Sequence, residues 1–183
     1  MTHLTDLNLG GCSRLTGDLY NLGRLVGLES LTLWGMNKLE GDLSHVSELT
    51  QLTQIYLTGC SQLTGNLESL ATLLGLVKVS LCGCRAVRGH IADLTELFSL
   101  EEIDFRFCPN IEGDLRSISH FVSCAQLNLF RCHRVTGDLA SITGLLKFTH
   151  LNLSTSDPLS WHDEIGSSEI SRLMSNGDLL QSD

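Results

Sequence analysis

Apolar positions recur along this chain in a fixed order. Doublets separated by one position stand at Leu7/Leu9, Leu31/Leu33, Ile55/Leu57, Val79/Leu81, Ile103/Phe105, Leu127/Leu129 and Leu151/Leu153, each beginning 24 residues after the one before. Within a doublet the period is two, which marks a short strand with one face turned inward. Three residues ahead of it runs a further apolar column: Leu4, Leu28, Leu52, Leu76, Leu100, Cys124 and Phe148. The last part of each unit is apolar at every third position, as in Leu19, Leu22, Leu25 and Leu28, a spacing that suits 3₁₀ or irregular turns. No insertion or deletion interrupts the register. A unit of this kind cannot bury its apolar face alone but can against the next copy, so the pattern predicts a stacked solenoid. About six parallel strands should lie side by side at roughly 4.8 Å per turn.

Three more columns complete the unit. Cys12, Met36, Cys60, Cys84, Cys108 and Cys132 follow the strand, then Leu15, Leu39, Leu63, Val87, Ile111 and Val135, then Gly17, Gly41, Gly65, Gly89, Gly113 and Gly137. The unit reads LxxLxLxxCxxLxGDLxxLxxLxx. Over six such units, from Leu4 to about Lys147, the chain resembles the leucine-rich repeat family. The 24-residue length and the LxGxL stretch resemble the plant-type subclass, while Cys followed three residues later by Leu resembles the cysteine-containing one. The resemblance implies an α/β fold: a right-handed leucine-rich repeat solenoid with parallel strands on the concave face and short 3₁₀ or irregular turns on the convex face. Residues 1–147 are expected to form six 24-residue repeats, and residues 148–183 a degenerate last repeat and a C-terminal cap with a short helix.

Each column has a physical reason. The ladder position is where the family uses Asn to bond neighbouring loop backbone, and a thiol, small and weakly donating, can fill it. Gly17 and its equivalents mark positive φ or a close approach of neighbouring turns. Asp18, Asp42, Asp114 and Asp138 precede a convex turn, where a carboxylate accepts free backbone N–H groups as an N-cap. The same row read as a Ca²⁺ site fails, because Asn66 and His90 interrupt it and no second acidic residue recurs beside it. No metal or cofactor is expected.

Of the seven Cys, five occupy the ladder and Cys124 replaces a core Leu; Cys82 alone should face solvent and be the most accessible thiol. Cys82-x-Cys84 lacks a second pair at zinc spacing, and neighbouring ladder thiols point inward in parallel, so all seven are expected free. Free buried thiols point to a reducing, cytoplasmic compartment. An enzyme using Cys82 as nucleophile would need a base within reach, and none of the seven His residues shares its column.

Twelve Lys or Arg against 21 Asp or Glu give −9, which disfavours nucleic acid and anionic membrane as partners. No apolar run approaches membrane-spanning length. Leu4 opens the first unit directly after Met-Thr-His, leaving no room for a secretory segment. That end has no cap, which points to a longer repeat protein or to a homodimer through the first turn. After Leu153 the pattern breaks, and "SSEISRLMSNG" reads as a short helix capped at Ser167 or Ser168 and stopped at Asn176-Gly177, with Trp161 packed on the last turn.

With the scaffold columns removed, the outward face of the sheet varies. It presents Trp34, Tyr56, Lys78, Glu102, Asp104, Arg106 and Phe130, and large aromatics and Arg carry disproportionate binding energy at interfaces. Together with the family resemblance this predicts a module that binds another protein along the concave sheet. The alternatives are a purely structural segment of a longer repeat protein and, remotely, the Cys82 enzyme.

Overall fold

The computed structural model describes residues 3–142 and 147–154. Seven three-residue strands, Asp6–Asn8, Ser30–Thr32, Gln54–Tyr56, Lys78–Ser80, Glu102–Asp104, Gln126–Asn128 and His150–Asn152, form one sheet in chain order. Every pairing is parallel and in the repeat's own register, Leu7 beside Leu31, Leu31 beside Ile55, Ile103 beside Leu127. There are seven strands rather than about six because the degenerate last unit keeps its doublet, with Leu151 buried in the common core.

Behind each of the first six strands the chain crosses to a 3₁₀ turn: Leu19–Leu22, Leu43–Val46, Leu67–Leu70, Ile91–Leu94, Leu115–His120 and Leu139–Ile142. The residue ahead of each turn accepts the backbone N–H two positions on. Asp18, Asp42, Asp114 and Asp138 do so through a carboxylate oxygen at 2.8–2.9 Å, as expected. Asn66 and His90 hold the same place, through the amide oxygen at 3.0 Å and the ring Nδ1 at 3.1 Å. The row is therefore a row of caps whatever its charge. Just before the caps the turns also pair with one another. Arg88–His90, Asn110–Asp114 and Arg134–Thr136 make a second parallel sheet, and Gly17–Asp18 pairs with Leu39–Glu40.

The core runs the length of the stack. From the second turn to the sixth, the strand doublets, the column ahead of them and the ladder residues are buried in one cluster. Each fully buried Leu contributes on the order of 1.5–3 kcal/mol against the entropy of ordering the chain. The ladder thiols reach back one turn: Cys60 Sγ donates to the Leu33 carbonyl, Cys84 to Leu57, Cys108 to Leu81 and Cys132 to Phe105, all at 3.0–3.1 Å. Burial pushes these thiols up, Cys60 to about 11 and Cys132 to about 12. Gly65 shows what the glycine column is for. At φ +116 it lies so close to the preceding turn that a Cβ would meet the Leu43 nitrogen at 2.6 Å.

The first turn departs from its own columns. Cys12 is exposed, not buried, and it rather than the half-buried Cys82 is the most accessible thiol. Leu15 is 45% exposed, and a Cβ on Gly17, whose φ is not positive, would touch nothing. In the interior these positions are covered by the turn before; among the described residues no turn precedes the first. All seven Cys are free. The helix expected near Ser167 and the packing of Trp161 fall outside the described residues.

Candidate functional site

The outward positions of the front sheet stand where the alternation puts them, and their neighbours differ from place to place. Trp34, 51% exposed, leans away from Tyr56 and lies over the first turn: a Cβ on Gly10 would overlap its indole, and one on Gly11 would meet its Cη2 at 3.1 Å. Two glycines thus make a seat for one face of the ring, and the side chain is held before any partner arrives. Lys78 and Glu102 pair across neighbouring strands at 3.0 Å. That bond raises the Lys78 pKa, while burial raises that of Tyr56 against the opposing pull of Lys78. Arg106, in the turn just past the strand, is held by Asp104 in a two-pronged contact, Nε to Oδ1 and a terminal nitrogen to Oδ2, both 2.9 Å. Asp104 Oδ2 also accepts from Ser80 Oγ at 3.5 Å, and Ser80 shares a 2.6 Å bond with Thr58. The charges at 78, 102, 104 and 106 are therefore mutually satisfied; of the aromatics on this face Trp34 is exposed, and Tyr56 and Phe130 are half-buried. Phe130 turns toward the neighbouring loop rather than toward Arg106. Its ring meets Phe107 edge to face, centroids 5.2 Å apart.

Beyond the sheet the chain enters a loop edge that outward-face reasoning did not reach. Each loop is stitched to the next by one backbone bond: Gly11 N–H to the Trp34 carbonyl, Gly35 to Thr58, Gly59 to Cys82, Gly83 to Arg106, Phe107 to Phe130, Arg131 to Ser154. The geometry needs a left-handed residue at the donor. Four turns supply glycine at φ +76 to +78, but the fifth and sixth use Phe107 at φ +59 and Arg131 at φ +63. Such a non-glycine residue costs on the order of 1–3 kcal/mol and persists where its surroundings hold it. Here the Arg131 guanidinium rests 5.4 Å from the Phe107 ring centre and 5.5 Å from that of Phe130. The signal was present in the sequence as a glycine column that stops after Gly83.

A third feature lies on the back. Leu74, Phe98 and Val122 occupy the same position of three consecutive turns and are 64%, 52% and 56% exposed.

Burial raises the Cys82 pKa, and Asp104 beside it raises it further against the opposing pull of Arg106. A thiol held protonated is a poor nucleophile. Among the described residues no group of three or more His, Cys, Asp or Glu is placed to hold a metal ion, and no helix is long and apolar enough to cross a membrane.

No family profile and no curated protein sequence matches the chain. Solved structures do. The leucine-rich repeat ectodomain of the Arabidopsis receptor kinase HAESA, in complex with an extended IDA peptide hormone, superposes with a TM-score of 0.62 at 22% identity, over 83% of this chain and 26% of that one. Internalin C2 from Listeria monocytogenes gives 0.54 at 16% identity, over 87% and 76%. The functional domain of InlJ from the same bacterium, which includes a cysteine ladder, gives 0.51 at 19% identity, over 83% and 30%. The chain spans about a quarter of the length of the HAESA chains it resembles. Period, parallel sheet, 3₁₀ turns and these likenesses agree: the chain has the leucine-rich repeat fold.

Proposed function

We propose that this chain is a protein-interaction module and not an enzyme. Its partner lies along the outer face of the seven-stranded sheet, against Trp34, Tyr56, the paired charges Lys78–Glu102 and Asp104–Arg106, and Phe130. The observation that carries the reading is Trp34, half-exposed yet seated on the Gly10–Gly11 backbone. An aromatic ring fixed in advance loses little freedom on binding, which is what makes aromatic anchors effective. The HAESA complex with a peptide hormone supports the reading by likeness of fold.

The test is retention of proteins from the source cell on immobilised chain, comparing wild type, Trp34→Ala/Tyr56→Ala and a distant control, Arg24→Ala/Lys147→Ala. A protein held by wild type and control but lost from the aromatic variant is the expected result. Identical retention on all three would remove the sheet face from consideration.

A further inference from the structure

Net charge hides a segregation of sign. The six loops at the strand ends, residues 10–16, 34–40, 58–64, 82–88, 106–112 and 130–136, hold seven Lys or Arg and two Glu, a net of +5. The remainder of the chain holds five basic and nineteen acidic residues, a net of −14. Because successive turns stack, these loops form one continuous edge, tied along its length by the backbone bonds described above. Arg14, Lys38, Arg85, Arg88, Arg131 and Arg134 are all exposed, and none has a carboxylate within ion-pair distance among the described residues. Unpaired cations gathered on one edge of an acidic protein repel one another, a cost that an anionic partner removes.

The geometry points to this edge as a second docking surface, and to its occupant as an extended acidic segment of another protein. Six turns at ~4.8 Å span about 24 Å, the length of roughly seven or eight residues of extended chain. The strip is narrow. On one side stand the Lys78–Glu102 and Asp104–Arg106 pairs of the sheet face, neutral in sum, and on the other the caps Asp18, Asp42, Asp114 and Asp138. A nucleic-acid duplex or a lipid surface is wider than the strip and meets the cap carboxylates; a single peptide strand lies beside them. At the sixth turn the Arg131 guanidinium has ring faces of Phe107 and Phe130 beside it, so a carboxylate there is bound next to apolar surface. Alternating acidic and apolar side chains match that arrangement. The surface extends the interaction reading to a neighbouring part of the molecule, and it meets the sheet face at Trp34, Arg106 and Phe130.

The probe is a fluorescently labelled peptide of about eight residues alternating Glu and Leu, titrated into full-length chain by anisotropy at low and high salt. A single-stranded oligonucleotide of equal charge and phosphatidylserine vesicles are measured in parallel. Arg85→Glu/Arg134→Glu should weaken peptide binding about tenfold or more, and raised salt should do the same. Arg14→Glu/Lys38→Glu, at the other end of the edge and away from the strained loops, should also weaken it, with unchanged circular dichroism. Arg24→Glu/Lys147→Glu, off the edge, and Tyr56→Ala, on the sheet, should leave it intact. Loss of binding in the Tyr56 variant alone would overturn the edge while leaving the sheet-face reading standing. No peptide binding at low salt would overturn the proposal. So would binding indifferent to both edge variants, or an edge dependence shown by the oligonucleotide or vesicles and not by the peptide.

Discussion

Cys12–Leu19 and Cys60–Leu67, "CSRLTGDL" and "CSQLTGNL", share six of eight residues and occupy different surroundings. In the third turn Cys60 is buried and bonded to the Leu33 carbonyl, Leu63 is fully buried, and Gly65 presses on the turn before. In the first turn the matching thiol is exposed, the matching Leu is 45% exposed, and the glycine has open space around it. Nothing in the two octapeptides accounts for this. In a stack, a column residue is core because its neighbour covers it, so the environment of a motif belongs to the pair of turns and not to the motif.

The largest consequence is in stability. Leu63→Ala should cost about 2–5 kcal/mol, as buried leucine truncations do, while Leu15→Ala should cost less than about 1 kcal/mol. Urea midpoints of the two variants decide it, and equal losses would break the comparison. Glycine gives a smaller contrast of both size and sign. Gly65→Ala meets the Leu43 backbone at positive φ and should cost about 1–3 kcal/mol. Gly17→Ala should be neutral or stabilise by up to about 1 kcal/mol, because it restricts only the unfolded chain. A third contrast costs no stability. Iodoacetamide on native protein, followed by peptide mapping, should label Cys12 first, Cys82 more slowly, and the four buried ladder thiols only on unfolding. Labelling of Cys60 at the rate of Cys12 would show that the third turn is not closed.

What the sequence made legible follows from the same physics. Among the described residues the period placed the front strands, seven where about six were expected, and the 3₁₀ turns behind them, because apolar columns are forced by burial. It did not disclose the second sheet, since "RGH" has no apolar position and "RVT" has one where the front strands have a doublet, and both pair only because the turns behind them are already stacked. His90 was not legible as a cap because a ring nitrogen takes that role only once the turn is built around it. The outward residues were placed, but not their partners: Trp34 leans on the first turn, and Arg106 is occupied by Asp104. A whole-chain charge of −9 concealed the basic loop edge, because summing charge over the chain discards the column each residue stands in.

Residues that keep the repeat hold the stack together; residues that break it are retained for contacts outside it. The loop edge is where this division is sharpest, with glycine in four turns and Phe107 and Arg131 in the next two. The most direct measurement is the thermal midpoint of Phe107→Gly/Arg131→Gly, which restores the column residue in both. Relief of two left-handed non-glycine positions, on the order of 1–3 kcal/mol each, offsets the lost ring and guanidinium contacts. A midpoint equal to or above that of the wild type is the predicted result. A fall as large as that of Leu63→Ala would mean that Phe107 and Arg131 are part of the scaffold, and would contradict the division.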